Sequence, residues 1–531
     1  MTFLIGDALL SRNRKRRNRF SRRTGGLRAS AALALLIHST SSAVAADALT
    51  LAPATMPRLG TVDQRFQSYN IEMVEITGGR FWKPYGSNPD DNPAPSAGSG
   101  APNIDARLFQ YRPPIELTNA RLRMLAAALG PAYLRVSGTW ANTTFFADRD
   151  QPPSKPPAGF KSSLTRRQWR DVVAFAKSAD AEIVTSFAIG AGTRDADGVW
   201  MPDQAQRLLR YTHEIGGKIA AAEFMNEPDL ADIGGAPAGY DASAYGRDFR
   251  IFHSMMKSAS RRTMIFGPGV AGEDNKATGL LAASASLLDG YSYHYYGALS
   301  ERCHGDGRPQ TALSEQWLSG TDRALSFHRT LRDRLMPGRP IWLTETADAA
   351  CGGNPWAVSF VDAFRYLDQL GRLAKAGVQV VMHNTLAASD YGMLDEHTLS
   401  PRPKYWGALL WRRLMGTTVL DAGAPIAEGL HVYAHCQRGA PGGVSLLVIN
   451  TDRAAPRTLK LPAASVRYTL DAADLNGSDV RLNGSFLALD AKGRLPPITG
   501  EPIAAGIITL DPATITFVTI PTAANSACDR A

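Results

Sequence analysis

Cysteine is scarce, four in 531 residues, so the chain is not a small scaffold held together by cross-links. No apolar run approaches the ~18 residues that a bilayer-spanning helix needs, which argues against a membrane span. Charge of one sign is also scarce once its position is considered. The formal net charge is +9, but residues 1–45 hold nine Arg or Lys against the single acid Asp7, which is +8 and leaves +1 for the rest of the chain. A near-neutral body has no basic stripe to track phosphates, so no nucleic acid partner is expected. With 44% hydrophobic and 20% charged residues, the chain can bury one large core or two ordinary ones.

The basic segment is followed by a short apolar run at 29–37 and by Ala43-Val44-Ala45, which resembles a cleavage site. These are the three parts of an export signal. A signal peptide over 1–45 is expected, with the body secreted or periplasmic; Ser21-Arg22-Arg23 offers the twin-arginine version of such a signal. An exported chain with an even cysteine count predicts disulfides. Cys303 and Cys351 each follow a predicted strand, whereas Cys436 and Cys528 both lie in the C-terminal region, which predicts the pairs Cys303–Cys351 and Cys436–Cys528.

Between about 62 and 415, short apolar runs alternate with segments of helical period, the signature of a parallel β/α fold. Eight strands are predicted, at 67–75, 132–137, 182–189, 219–226, 263–266, 290–296, 340–346 and 378–386, with helices at 119–129, 166–179, 203–215, 242–260, 321–335 and 356–376. Eight strands close a (β/α)8 TIM barrel. From about 416 the pattern changes to short alternating strands such as 440–450, 467–471 and 513–520, read as a C-terminal β-sandwich domain. The expected organisation is a strand-bearing segment over 46–60 that joins the sandwich, a catalytic barrel over 61–415 and a sandwich over 416–531. Residues 83–114, rich in Pro, Gly and Ser, connect the first strand to the first helix and read as a surface loop or as a wall of the cleft.

Barrels place their chemistry at the C-terminal ends of strands. Two carboxylates stand there: Glu227 in EFMNEPD (223–229) after strand four, and Glu345 in IWLTETAD (341–348) after strand seven. Arg135 lies inside strand two and can serve as partner of a buried carboxylate. No HxxxH pair among the ten His and no CxxC pair falls at the proposed rim, and no nucleotide-binding glycine motif is in context, so neither metal nor cofactor is expected.

Asn226-Glu227-Pro228 together with Glu345 resembles the large barrel clan of retaining glycosidases. The wider set GPAYLRVSGT (130–139), EFMNEPD, HYYG (294–297), IWLTETADAACGG (341–353), VVMHNTLAASDYGMLD (380–395) and PKYWGALLWRRLMGTTVL (403–420) resembles glycoside hydrolase family 79, the heparanase and β-glucuronidase family. The resemblance implies double displacement by two carboxyl groups about 5–5.5 Å apart, with Glu227 as acid and base and Glu345 as nucleophile. Such chemistry asks Glu227 to hold a proton while Glu345 is ionised. By the same resemblance Asn226 faces the sugar 2-hydroxyl, Tyr295 lies against the nucleophile, and Gly352, Gly353 and Tyr391 hold the substrate carboxylate, with Cys351 leaving the glycine register open by one residue. Glu72 and Thr139 match positions that bind sugar hydroxyls, although relatives often carry Asp where Glu72 stands. Strand alternation assigns His294 to the opposite, structural face.

Where vertebrate heparanases bring basic residues to the loop after strand five, this chain has GPGVAGEDN (267–275), whose Glu273 and Asp274 repel sulfate. Lys83, Arg80 and Arg194 are the remaining basic candidates near the cleft. The expected activity is endo-β-glucuronidase action on heparan sulfate-like, uronic-acid-containing polysaccharide by a monomer. The alternatives are exo-β-glucuronidase action, in which 83–114 or 297–320 closes the cleft, and a non-catalytic glycan-binding protein.

Overall fold

A computed structural model describes residues 48–86, 105–151 and 153–529. The expected signal peptide and most of the 83–114 connection lie outside the described residues. Eight parallel strands close a barrel: β1 (Gln67–Glu72), β2 (Ala132–Ser137), β3 (Ala181–Thr185), β4 (Ile219–Ala222), β5 (Met264–Val270), β6 (Gly290–Leu299), β7 (Ile341–Ala350) and β8 (Val380–His383). Each is followed by a helix: α1 (Ala120–Ala128), α2 (Arg166–Ser178), α3 (Asp203–Glu214), α4 (Ala242–Ala259), α5 (Asn275–Ser284), α6 (Gly320–Leu335), α7 (Phe360–Lys375) and α8 (Pro403–Leu414). Helices α5 and α8 were not among the predicted helices. The first predicted strand stops three residues early, because Glu75 Oε1 accepts the Glu72 N–H at 2.8 Å and so opens a short helix over Met73–Thr77.

The barrel interior is layered. Tyr133, Val184, Ala221, Phe266, Trp342, Val380 and Met382 form an apolar plug, with the Phe266 and Trp342 rings stacked at 3.9 Å. Side chains two residues further along a strand share its face. Above the plug this brings in Arg135, Glu223, Thr344 and Asn384, so the interior turns polar toward the C-terminal end.

Beyond the barrel, a large antiparallel sheet runs in the order Arg58–Thr61, Met415–Leu420, His431–Gln437, Val444–Asn450, Thr514–Ile520, Ser465–Asp471, Arg481–Leu482 and Ser485–Phe486. A second sheet joins Leu49–Thr50, Arg457–Leu461 and Gly506–Leu510, and the two form a β-sandwich. Helix α7 is buried almost throughout. Its Asp368 accepts hydrogen bonds from Tyr433 Oη and His431 Nδ1 of the large sheet, each at 2.5 Å. The cysteines pair as Cys303–Cys351 and Cys436–Cys528. Among the described residues, no helix is long and apolar enough to cross a membrane.

Candidate active site

Glu227 stands five residues past the end of β4, half-buried, with φ 47° and ψ 66°. That left-handed backbone costs a non-glycine residue of order 1–3 kcal/mol, and the neighbouring residue shows what holds it. Asn142 Oδ1 accepts the Asn226 N–H and Asn142 Nδ2 donates to the Asn226 carbonyl, both at 2.9 Å. The side-chain amide thus replaces a strand partner where the strand has ended.

Arg135 organises the interior. Its Nε donates to Glu223 Oε2 at 2.9 Å, Nη1 to Glu345 Oε2 at 2.8 Å and Nη2 to Asn226 Oδ1 at 2.8 Å. Because arginine only donates, the last contact fixes the Asn226 amide with Nδ2 as its free donor. Glu223 is completed by Ser292 Oγ at 2.7 Å and Thr344 Oγ1 at 2.9 Å.

The β6–β7 register slips by one residue, Tyr293 pairing with Leu343 and His294 with Glu345. The extra residue, Thr344, lets two consecutive side chains, Thr344 and Glu345, enter the interior. Glu345 is 5% exposed. Burial pushes its carboxyl up, but the charges of His294 and Arg135 and hydrogen bonds from Tyr296 and Arg135 outweigh that, holding it below the usual carboxylate range. A buried carboxylate kept in its ionised form by Arg135 and Tyr296 has the form of a nucleophile.

Two assignments on β6 are corrected. His294 is inside: Nδ1 lies 2.9 Å from Glu227 Oε1, and Nε2 lies 3.2 Å from Arg135 Nη2. Since Arg135 can only donate, in the neutral imidazole Nε2 accepts and the proton sits on Nδ1, directed at Glu227, whereas the imidazolium, whose charge acts on Glu345 and Glu223, carries a proton on both nitrogens. Burial lowers the imidazole pKa, while the Glu345 charge and the Glu227 hydrogen bond raise it to a net value above the ordinary one; protonation of Nε2 would cost the Arg135 contact. Tyr295, by contrast, faces α6, where a Cβ on Gly320 would lie 2.3 Å from its hydroxyl. The tyrosine that contacts Glu345 is Tyr296, whose Oη donates to Glu345 Oε1 at 2.6 Å. Alternation was the right rule with the wrong phase. Ser292, His294 and Tyr296 line the interior, and Tyr291, Tyr293 and Tyr295 pack outward; the row carrying Ser and His was the available signal.

This predicts that Tyr296→Phe lowers kcat/KM about 10- to 150-fold, the worth of a hydrogen bond to a charged group, about 1.5–3 kcal/mol. It also moves the acidic limb of the pH–rate profile to higher pH, because the lost donor no longer favours the ionised form of Glu345. Tyr295→Phe should change kcat/KM by no more than about twofold. Parallel pH–rate profiles of the two variants check both statements.

Asn384, which follows β8, was not singled out by sequence. Its Nδ2 lies 3.1 Å from Glu72 Oε1, 3.0 Å from Tyr296 Oη and 3.4 Å from Tyr391 Oη, tying three strand ends together. Burial raises the Glu72 carboxyl well above the usual range, and the charge of Glu345 adds to this. Both effects favour the protonated form of the Glu72 carboxyl, against the opposing pull of Arg135 and of the Asn384 hydrogen bond. Gly138 makes room for this carboxyl, since a Cβ there would lie 1.4 Å from Glu72 Oε2. Thr139 follows, half-buried at the start of a 3-10 turn.

Gly352 and Gly353 have φ of 83° and 87°. The Gly352 carbonyl accepts from Ser389 Oγ at 3.0 Å and from the Asp390 N–H at 3.1 Å, and a Cβ on Gly353 would lie 2.9 Å from Tyr391 N. The glycine turn and Tyr391 therefore share one corner of the rim. In the loop after β5, Asp274 caps α5 through the Lys276 and Ala277 N–H groups, so its charge is used locally. Arg194 is paired with Asp248, which leaves it a structural cation.

Glu227, His294 and Glu345 each present an atom within 4.8 Å of the others. Three such donors have the composition of a cation site, but the guanidinium of Arg135 already holds Glu345 Oε2 and contacts His294. A metal ion there would face a fixed positive charge, so the set suits proton transfer and nucleophilic attack better than metal binding.

The sequence profile of "Glycosyl hydrolase family 79, N-terminal domain" matches residues 115–371. Heparanase of Mus musculus is 28% identical over 483 residues, covering 78% of this chain and 88% of that protein. Hyaluronoglucuronidase of Hirudo nipponia is 26% identical over 483 residues, covering 80% and 95%. Among solved structures, a 4-O-α-L-rhamnosyl-β-D-glucuronidase from Fusarium oxysporum superposes with a TM-score of 0.61 at 14% identity, covering 89% of this chain and 100% of that one; it shares the fold.

Proposed function

The chain is a glycoside hydrolase of family 79, and from that premise we propose that it hydrolyses β-glucuronosyl linkages in a polysaccharide, from within the chain and with retention of configuration. One observation carries the retaining mechanism. Carboxyl oxygens of Glu227 and Glu345 lie within 4.8 Å of each other, near the ~5–5.5 Å of double displacement and short of the ~6.5–9.5 Å that leaves room for an inverting water. In this reading Glu345 attacks the anomeric carbon as Glu227 protonates the departing oxygen. Formation of the ester removes the charge on Glu345, and Glu227 then accepts a proton from the water that attacks the intermediate. Asn226 Nδ2 donates to the sugar 2-hydroxyl; the Gly352 and Gly353 N–H groups and Tyr391 Oη hold the sugar carboxylate; Glu72 and Thr139 bind hydroxyls.

The substrate class rests on the names of relatives that act on heparan sulfate or hyaluronan. The same proposal takes 61–415 as the catalytic unit, 416–531 as the sandwich and 1–45 as an export signal, with the two disulfides supporting an oxidising location. Incubation with heparan sulfate, with hyaluronan and with an aryl β-glucuronide tests it. An early fall in polymer size with little aryl release is expected. Rapid aryl release with polymer size unchanged would replace endo by exo action. Binding without turnover of any of the three would make this a glycan-binding protein.

A further inference from the structure

A pocket that holds a carboxylate through backbone N–H groups has no side chain of its own to set its shape. Its accuracy depends on what fixes the loops. Here those loops converge on one buried ion pair. Arg302 follows β6, and its side chain is 6% exposed. Its Nη2 donates to Asp390 Oδ2 at 2.5 Å and its Nη1 to the Lys83 carbonyl. The guanidinium carbon stacks 4.0 Å from the centre of the Tyr85 ring, and the Arg302 N–H donates to Tyr85 Oη at 3.0 Å. The Tyr85 N–H returns to both Asp390 carboxylate oxygens at 3.2 Å.

From this knot the connections run straight to the glycine turn and Tyr391. The Asp390 N–H donates to the Gly352 carbonyl, and Tyr391 is the next residue. The residue after Arg302, Cys303, is bonded to Cys351, the residue before Gly352. Ser300 Oγ donates to the Cys351 carbonyl at 3.2 Å. Segments following β1, β6, β7 and β8 are thus joined at one point. The Arg302 and Asp390 charges offset each other, so the knot contributes rigidity without a competing net charge.

We propose that Arg302 is the positioning residue for carboxylate selectivity: through Asp390 and the Cys303–Cys351 bridge it sets the Gly352–Gly353 turn and Tyr391 at the spacing that distinguishes a uronic acid from a neutral sugar. The proposal rests on the glucuronidase reading. Arg302 touches no substrate and no reacting group; it acts through the loops.

The test compares kcat and KM for an aryl β-glucuronide and the matching aryl β-glucoside, in wild type, Arg302→Met, Arg302→Lys and Asp390→Asn. The ratio of the two kcat/KM values should fall about 10- to 100-fold in Arg302→Met, mainly through KM for the glucuronide. Lysine, which keeps the charge but loses the fork and the stacking, should restore part of it. Asp390→Asn, which keeps its side-chain size, should follow Arg302→Met and guards against a folding failure in the arginine variant. A parallel fall on both substrates, or an unchanged ratio, overturns the proposal. A wild type that does not prefer the glucuronide overturns the underlying reading instead, and the two failures are told apart by the wild-type ratio alone.

Discussion

Glu345→Ala should lower kcat/KM at least on the order of 10⁴-fold, about 5.5 kcal/mol of lost transition-state stabilisation. The magnitude follows from its place: it is the ionised carboxylate at the floor of the site, gripped by Tyr296 and Arg135, and no described neighbour can replace its attack. Azide separates its role from that of Glu227. In Glu345→Ala the vacated space admits azide on the face opposite the leaving group, so a β-glucuronide yields the α-glycosyl azide. In Glu227→Ala, assayed with a leaving group that needs no protonation, Glu345 still forms the ester; azide then opens it from the other face to give the β-glycosyl azide. Product configuration by NMR reads both outcomes. The same configuration from both variants would overturn the assignment of roles.

The second large effect is on stability. Arg135→Met should destabilise the fold by about 3–5 kcal/mol, because it leaves Glu223 with an uncompensated buried charge. Both side chains are 1% exposed. Burial alone would raise the Glu223 carboxyl; the charges of Arg135 and His294 and the donors Ser292 and Thr344 bring it below the usual range instead. A group with a depressed folded pKa gives stability that is present above its unfolded pKa and lost as pH falls through the folded one. Without Arg135 the depression is gone and burial favours the protonated form. The deficit of the variant against wild type in urea should therefore be larger at neutral pH than near pH 4. The double variant Arg135→Met/Glu223→Gln should recover a substantial part of the loss. A deficit independent of pH, with no recovery, would mean that the cost is lost packing.

The barrel was legible because its eight strands are apolar runs separated by amphipathic helices, a pattern that survives in one sequence. Helix α5, NKATGLLAAS, escaped because its small residues give little periodic contrast. Glu227 and Glu345 stood out because each is preceded by an apolar run, although the structure places Glu227 five residues past the end of β4 and Glu345 within β7. The cysteine pairing was legible because the four residues fall into two separate stretches of chain. What was not legible is whatever depends on phase. YSYHYY reads as aromatic in either register, and only the partners across the barrel, Glu223 for Ser292 and Glu227 for His294, decide which row faces inward. Asn142 and Asn384 were missed for a related reason. An asparagine in a loop is ordinary until the backbone or the tyrosines it serves have been located.

The earliest described strands belong to the last part of the chain to be made. Leu49–Thr50 pairs with Leu459 and Lys460, and Arg58–Thr61 with Met415–Leu420, so these edges wait for partners about 350 to 400 residues downstream. At roughly 5–20 residues per second, the usual pace of translation, the wait is about 20–80 s. During that time the barrel can close while its leading segment hangs unpaired beside it. Two- and four-residue edges are short enough to resist pairing with a neighbouring nascent chain. The cost falls on protein engineering: a fragment cut after the eighth helix keeps the whole catalytic rim but strands its own first segment, so the barrel alone should be the more aggregation-prone product.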